Sequence, residues 1–160
     1  MSGDTSITAY SSATLTLAAE QYYDLPQTIT VANATLTSYN SSTGTISLAN
    51  PTGIVSIGAE CTPHTFSIIS SIANGSISGS DSIVAYTSTT LTIATSSTAY
   101  NLPSSVAVVN ATLNSYNSSS GMLSISNPTG QVSITAVCNI KTFAISSSVI
   151  NGSLSGPTSI

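Results

Sequence analysis

Two stretches of this chain nearly repeat each other: "SYNSSTGTISLANPTGIVSI" at 38–57 and "SYNSSSGMLSISNPTGQVSI" at 115–134. Each holds short runs in which apolar and polar residues alternate, separated by Asn, Gly and Pro. The alternation is typical of half-buried β-strands, and the separating residues favour tight turns. The sequence therefore predicts an all-β chain built from a repeated unit.

The polar residues of the two stretches are interpreted as turns. "YNSSTG" and its counterpart predict a short hairpin loop in which Gly44 or Gly121 takes a positive φ. "NPTG" carries the residue preferences of a type I turn, with Asn first, Pro second and Gly last. On this interpretation, what the repetition preserves is a fold.

The repeat extends well beyond these stretches, at a constant offset of 77 residues that falls to 76 near the N-terminus. Matched pairs include Leu25–Pro26 with Leu102–Pro103, Val55 with Val132, Cys61 with Cys138, Phe66 with Phe143, Asn74–Gly75 with Asn151–Gly152 and, at the offset of 76, Tyr10 with Tyr86. Self-similarity at a fixed period is the signature of tandem repeats. We therefore expect an internal duplication of about 77 residues.

Composition excludes several classes of function. Of the 160 residues only 4% are charged, and Lys141 is the single basic residue besides one His, so we expect no nucleic-acid binding. No apolar run approaches the roughly 18 residues of a membrane-spanning helix, so no membrane insertion is expected. The N-terminus lacks the pattern of a secretory signal, so we expect either assembly inside the cell that makes the protein or a chain from which a leading segment was removed.

Short strands with turns every 8–12 residues or so favour an immunoglobulin-like β-sandwich. The runs "YDLPQTITVANATLTSYNSSTGTISLANPTGIVSIGAEC" at 23–61 and "YNLPSSVAVVNATLNSYNSSSGMLSISNPTGQVSITAVC" at 100–138 resemble the bacterial immunoglobulin-like repeats of phage virion proteins and Gram-positive surface proteins. The shared elements are a Tyr-x-Leu-Pro corner, a Tyr-Asn…Gly hairpin and an Asn-Pro-Thr-Gly turn. The resemblance implies two tandem immunoglobulin-like domains.

Two divisions of the chain into domains stay open. Self-contained closure gives repeats at 1–79 and 80–160. The phasing implied by the resemblance gives an incomplete domain at 1–61, a complete domain at 65–138 and a spare strand pair at 139–160. In that case the spare strands would be donated to a neighbouring subunit, with Phe143, Ile145 and Ile150 filling its vacant core positions.

No catalytic, cofactor-binding or metal site is predicted, and the chain is not expected to be an enzyme. His64 follows Cys61 by three residues, but the corresponding pair in the second repeat is Cys138 and Lys141. The five acidic residues are scattered and do not recur as a pair. Period two places both cysteines on the inward strand face, as small buried hydrophobes.

Two repeated polar features have a structural and a functional interpretation. Six Asn-x-Ser/Thr sequences could be glycosylated, although turn chemistry alone explains them: they begin at Asn33, Asn40, Asn74, Asn110, Asn117 and Asn151. Tyr10, Tyr23 and Tyr39 recur as tyrosines in the second repeat. They could stack on sugars, but packing or hydrogen bonding at a corner is the simpler interpretation.

The resulting expectation is a non-enzymatic bacteriophage virion protein, as a head decoration, fibre or tail appendage, assembled in the host cytoplasm. The alternative is a bacterial or archaeal cell-surface adhesin or extracellular filament subunit, located on or outside the cell. The expected partners are other copies of the chain or other structural proteins of the virion or surface, with host surface glycans as a further candidate. No cofactor is expected.

Overall fold

The computed structural model describes residues 2–3, 6–157 and 159, and these residues form β-strands, turns and irregular segments. The all-β prediction is confirmed. No helix long and apolar enough to cross a bilayer occurs among the residues that it describes. The strands belong to two compact units, residues 1–65 and 66–160.

The described residues of the first unit, unit 1, form eight short strands. They are β1 Ser2–Gly3, β2 Ser12–Thr16, β3 Tyr23–Asp24, β4 Thr30–Ala32, β5 Thr35–Asn40, β6 Thr45–Ala49, β7 Ser56–Gly58 and β8 Thr62–Pro63. One sheet has the order β1-β2-β6-β5, and β3-β8 and β4-β7 form two-stranded sheets. The buried core of unit 1 consists of Leu15, Ile46 and Leu48, because alternate residues of β2 and β6 face inward.

The second unit, unit 2, begins at the start of β9 and carries the remaining strands. They are β9 Thr65–Ala73, β10 Gly75–Gly79, β11 Ser82–Val84, β12 Ser88–Thr95, β13 Tyr100–Asn101, β14 Ala107–Val109, β15 Thr112–Tyr116, β16 Met122–Ser126, β17 Val132–Val137 and β18 Asn139–Ile140. Two four-stranded sheets, β10-β12-β16-β15 and β11-β9-β17-β14, pack over one core in the arrangement of a β-sandwich. β13 and β18 form a two-stranded sheet.

Both predicted hairpins are confirmed, with glycine where the backbone requires it. Gly44 and Gly121 have φ of 71° and 74°. A Cβ on either would overlap a backbone carbonyl oxygen, that of Leu17 or Ile93. Any other residue would therefore face both an unfavourable φ and a clash.

The Asn-Pro-Thr-Gly segments are attached to the loop between β4 and β5, or between β14 and β15. The backbone N–H of Thr52 donates to the carbonyl of Asn33 at 2.9 Å, and that of Thr129 donates to Asn110 at 2.9 Å. The asparagine that begins each segment takes a left-handed φ of 50°, which Asn tolerates better than most residues. This loop-to-loop contact was not visible in the turn pattern.

The two units differ where β9 and β10 join unit 2. β9 pairs in parallel with β17, and β10 pairs with β12. β17 has six residues and β12 eight, whereas the corresponding β7 and β2 have three and five. From Lys141 onward the described residues include only one isolated bridge, Ala144 to Ser159. Which of the two predicted divisions describes the folding domains stays a prediction.

Candidate functional site

His64 is paired with a carboxylate by two short strands of unit 1. The β3–β8 pairing sets Asp24 opposite Thr62. The backbone N–H of His64 donates to the carbonyl of Tyr22 at 2.8 Å. Nε2 of His64 then lies 2.8 Å from Oδ1 of Asp24. The two side chains are 37% and 69% exposed, and water screens so open a pair.

The His–Asp pair is not repeated in unit 2. The backbone bond recurs there, since the N–H of Lys141 donates to Ala99 at 2.8 Å. The side chains at the positions of His64 and Asp24 are Lys141 and Asn101, which form no comparable pair of proton donor and acceptor. What the two units share at this place is backbone pairing.

An open groove lies beside the Leu-Pro segment in each unit. In unit 1 it is lined by Asp24 and Glu60 among polar neighbours, and in unit 2 by Asn101 and Lys141. Among the described residues no three His, Cys, Asp or Glu side chains gather as metal ligands; Asp4 lies outside that set. The grooves therefore lie at equivalent positions and differ in charge.

The repeated tyrosines Tyr39 and Tyr116 close a corner of each unit. The hydroxyl of Tyr39 donates to the carbonyl of Pro26 at 2.9 Å, and that of Tyr116 donates to Pro103 at 2.9 Å. Burial raises the pKa of both phenols, and the nearby thiolate, Cys61 or Cys138, raises it further. This is the corner hydrogen bond that the sequence suggested.

Tyr10 and Tyr86 are different, because they project from turns on a strained backbone. Their φ values are 64° and 62°, unusual for a bulky side chain, and their exposed fractions are 96% and 54%. The turns are held by the hydroxyls of Ser11 and Thr87, which donate to the carbonyls of Thr8 and Val84. Both units thus present an aromatic ring at the same position.

The six glycosylation candidates lie on exposed positions, and most of their side chains are already engaged. The amides of Asn33, Asn74 and Asn110 donate to backbone carbonyls at 2.7, 3.2 and 2.8 Å. Those of Asn40 and Asn117 accept from the backbone of their hairpin loops. Asn151 has a φ of 54°, close to the 57° of Asn74. Two of the five engaged amides, those of Asn40 and Asn117, stabilise hairpin loops, and the other three connect segments that are distant in the sequence. Glycosylation itself stays untested.

The strand-exchange candidates Phe143, Ile145 and Ile150 are exposed, Ile150 by 87%. The inward-facing prediction for the cysteines is confirmed for Cys138, which is fully buried, while Cys61 is half-buried. Equivalent residues therefore reach different burial in the two units. This difference was not predictable from period two, which assigns both cysteines to the same face.

No protein-family model matches the chain, and no curated protein or solved structure matches it either.

Proposed function

We propose that the chain is a non-enzymatic structural protein of a bacteriophage particle, built from two tandem immunoglobulin-like units that arose by duplication. The observation that supports this most directly is the recurrence of fold-forming contacts at an offset of 77 residues. The corner bond of Tyr39 and Tyr116 recurs, as does the loop amide bond of Asn33 and Asn110.

Side chains with acid–base chemistry behave differently from these contacts. His64 and Asp24 are replaced by Lys141 and Asn101, while the backbone bonds around them recur. Duplication has thus kept the residues that hold β-strands and turns together. That pattern fits a module whose shape and surface are its function, as in a virion decoration, fibre or tail appendage.

The surface chemistry also fits a particle exterior. Ser, Thr and Asn side chains occupy the outward positions of β5 and β15, and 4% of residues are charged. Such a surface is hydrated without strong attraction to charged neighbours. The proposed partners are other copies of the chain and other structural proteins of the particle.

Labelling of the native source tests the proposal. Gold-conjugated antibodies raised against the purified chain should decorate phage particles in electron micrographs of lysates, at a constant position on each particle. Pre-immune antibodies on the same grids are the control. Label confined to bacterial or archaeal cell surfaces would contradict the virion assignment.

The second candidate is a surface adhesin or extracellular filament subunit, and the ring positions of Tyr10 and Tyr86 favour it. Aromatic rings held at equivalent exposed turns are suited to stacking on sugars. A glycan array should then show reproducible binding that Tyr10→Ala combined with Tyr86→Ala removes. Replacing Tyr39 by Phe is the matched control, because that ring lies at the corner.

A further inference from the structure

We infer that residues 142–156 of one copy of the chain, the C-terminal segment, complete unit 1 of a second copy. The model for this contact is the β9–β10 arm, residues 65–79, which completes unit 2. The inference rests on the proposed structural role in that it supplies the contact by which copies would assemble. The pairing of the β9–β10 arm within unit 2 defines the residues and the register of the proposed contact.

The β9–β10 arm adds one strand to each sheet of unit 2. β9 runs parallel to β17, from Ile68 opposite Val132 to Ala73 opposite Val137. The chain then crosses to the other sheet at Asn74, whose φ is 57°, and β10 pairs antiparallel to β12. The arm packs four side chains against the core: Phe66, Ile68, Ile72 and Ile77.

Unit 1, as described, has no such arm, and its core is correspondingly open. Val132 and Ile134 of unit 2 are fully buried, whereas the equivalent Val55 and Ile57 are half-buried. β7 and β2 are also shorter than their counterparts by three residues each. These edges offer unpaired backbone groups and partly covered apolar side chains, the two requirements for strand addition.

The C-terminal segment carries the arm's pattern at the same offset of 77. Its four core-type side chains, exposed at present, match those of the arm: Phe143, Ile145, Val149 and Leu154. Asn151 corresponds to Asn74, and its φ of 54° already has the value of the arm's turn. Burying these four large apolar side chains would drive the association, because the removal of apolar surface from water is its main favourable contribution.

A glycine makes the match more specific. In unit 2 a Cβ on Gly75 would lie 2.8 Å from Sγ of Cys138, so the arm passes the thiol too closely for any other residue. The C-terminal segment has Gly152 at this position, and unit 1 has Cys61. Half-buried Cys61 would then be covered as Cys138 is.

The register inside unit 1 sets how far the segment can pair without displacing the acceptor's own chain. β1 of unit 1 pairs Ser2 with Thr16 and Gly3 with Leu15, the places taken in unit 2 by the end of β10. By the same correspondence Ser153 would lie opposite Ala18, beyond the reach of β1. Residues 154–156 fall on the places next to and at β1, and they would have to replace the acceptor's N-terminal residues there.

This register revises the set of core-filling residues expected from the sequence. Ile150 corresponds to Ala73, which is exposed on β9, so Ile150 would face outward. Val149 corresponds to Ile72, which packs on the core. The inward residues are therefore Val149 and Leu154 together with Phe143 and Ile145.

A second copy is favoured as the acceptor over the same chain. Because β9 and β17 are parallel, the chain begins unit 2 at one end of this sheet and finishes β17 at the other. β9 has nine residues, so the two ends are roughly 25–30 Å apart. Only Lys141 separates β18 from the C-terminal segment, which therefore starts at the far end. Repeated addition of this head-to-tail kind gives open chains of subunits.

Disulfide trapping tests the proposed contact in the full chain. Ser153→Cys combined with Ala18→Cys should form an intermolecular disulfide under mild oxidation, because the equivalent Ser76 and Ala94 lie opposite each other on β10 and β12 and both face outward. Dimers and higher species should then appear on non-reducing gels, and dithiothreitol should remove them. Ser153→Cys alone is the matched control and should cross-link far less. Cys138 is buried and should not take part.

Sedimentation velocity at several concentrations supplies a second measurement. The parent chain should self-associate as concentration rises. Val149→Asp should raise the dissociation constant by about 100-fold or more, because it would bury an unpaired carboxylate. Ile150→Asp, one residue further along, should leave association nearly unchanged.

Three outcomes would overturn the inference. A chain that stays monomeric and forms no intermolecular disulfide would exclude exchange, and a disulfide formed within one chain would make unit 1 of that chain the acceptor. Equal effects of Val149→Asp and Ile150→Asp would contradict the proposed register. The particle assignment is tested separately. Labelled particles together with a monomeric chain would support the structural role and contradict the exchange. Self-association without labelled particles would support the exchange and contradict the particle assignment.

Discussion

Gly75 lies against the buried thiol of Cys138, so closely that a Cβ on the glycine would be 2.8 Å from Sγ and 2.5 Å from the carbonyl oxygen of Ala94. The contact joins the turn after β9 to the end of β17. It exists because β10 begins with the one residue that has no side chain. The dense packing of this end of unit 2 therefore depends on a glycine in a strand.

Gly75→Ala should lower the free energy of unfolding of unit 2 by about 1–3 kcal/mol, because neither neighbour can move without disturbing a strand. Urea denaturation followed by circular dichroism measures the change. Gly130→Ala is the matched control, since its nearest neighbour would be Asn110 at an ordinary 3.6 Å. Equal effects of the two substitutions would contradict the packing described here.

Ile134→Ala should destabilise the chain by about 2–5 kcal/mol, since this side chain is fully buried and its loss leaves a cavity. Ile57→Ala, at the equivalent position of unit 1, should cost less than half as much, because Ile57 is half-buried. Thermal and urea unfolding of both variants at low protein concentration give the comparison. A larger cost at Ile57 would show that its side chain is better covered than the structure indicates.

Tyr116→Phe should cost about 0.5–1.5 kcal/mol at neutral pH by removing the bond to the carbonyl of Pro103. The pH dependence follows from the raised pKa of the phenol. Between the unfolded value of 10.0 and the higher folded value, the folded state holds the proton more tightly, so stability falls as the pH rises through this window. The loss of stability with rising pH should be smaller in Tyr116→Phe. Urea titrations at several pH values give the free energy of unfolding, and the same slope against pH for parent and variant would contradict the role of the Tyr116 phenol.

The two thiols should react at different rates with a thiol reagent such as dithionitrobenzoate. In dilute solution Cys61 should react quickly and Cys138 only as unit 2 opens, because one is half-buried and the other fully buried. Cys61→Ser and Cys138→Ser assign the two phases. At high concentration the Cys61 phase should slow if neighbouring copies cover it, while the Cys138 phase should not change.

Much of the local structure could be predicted from the sequence. Alternation located the inward residues of β2 and β12, and glycine identified the hairpins at Gly44 and Gly121. These features depend on neighbouring residues only, through side-chain period and backbone freedom. For the repeated tyrosines the sequence left packing, corner hydrogen bonding and sugar stacking open, and the structure shows the corner bond at Tyr39 and Tyr116.

The sequence was a poorer guide to burial and to contacts across the fold. Cys61 and Cys138 share one alternation pattern but differ in exposure, because a strand's burial depends on which strand lies beside it. The His64–Asp24 pair was also missed, since 40 residues separate its members and only the β3–β8 pairing brings them together.

By itself, the sequence determined that this chain is all-β, that its residues repeat at an offset of 77, and where its two hairpin loops lie. Only the tertiary structure decided that the strands at 65–79 belong with the residues after them and cover Val132, Ile134 and Cys138. The reason is physical: alternation and turn preferences are local properties of the chain. Strand pairing is a long-range choice among edges, and its outcome depends on which apolar faces remain to be covered.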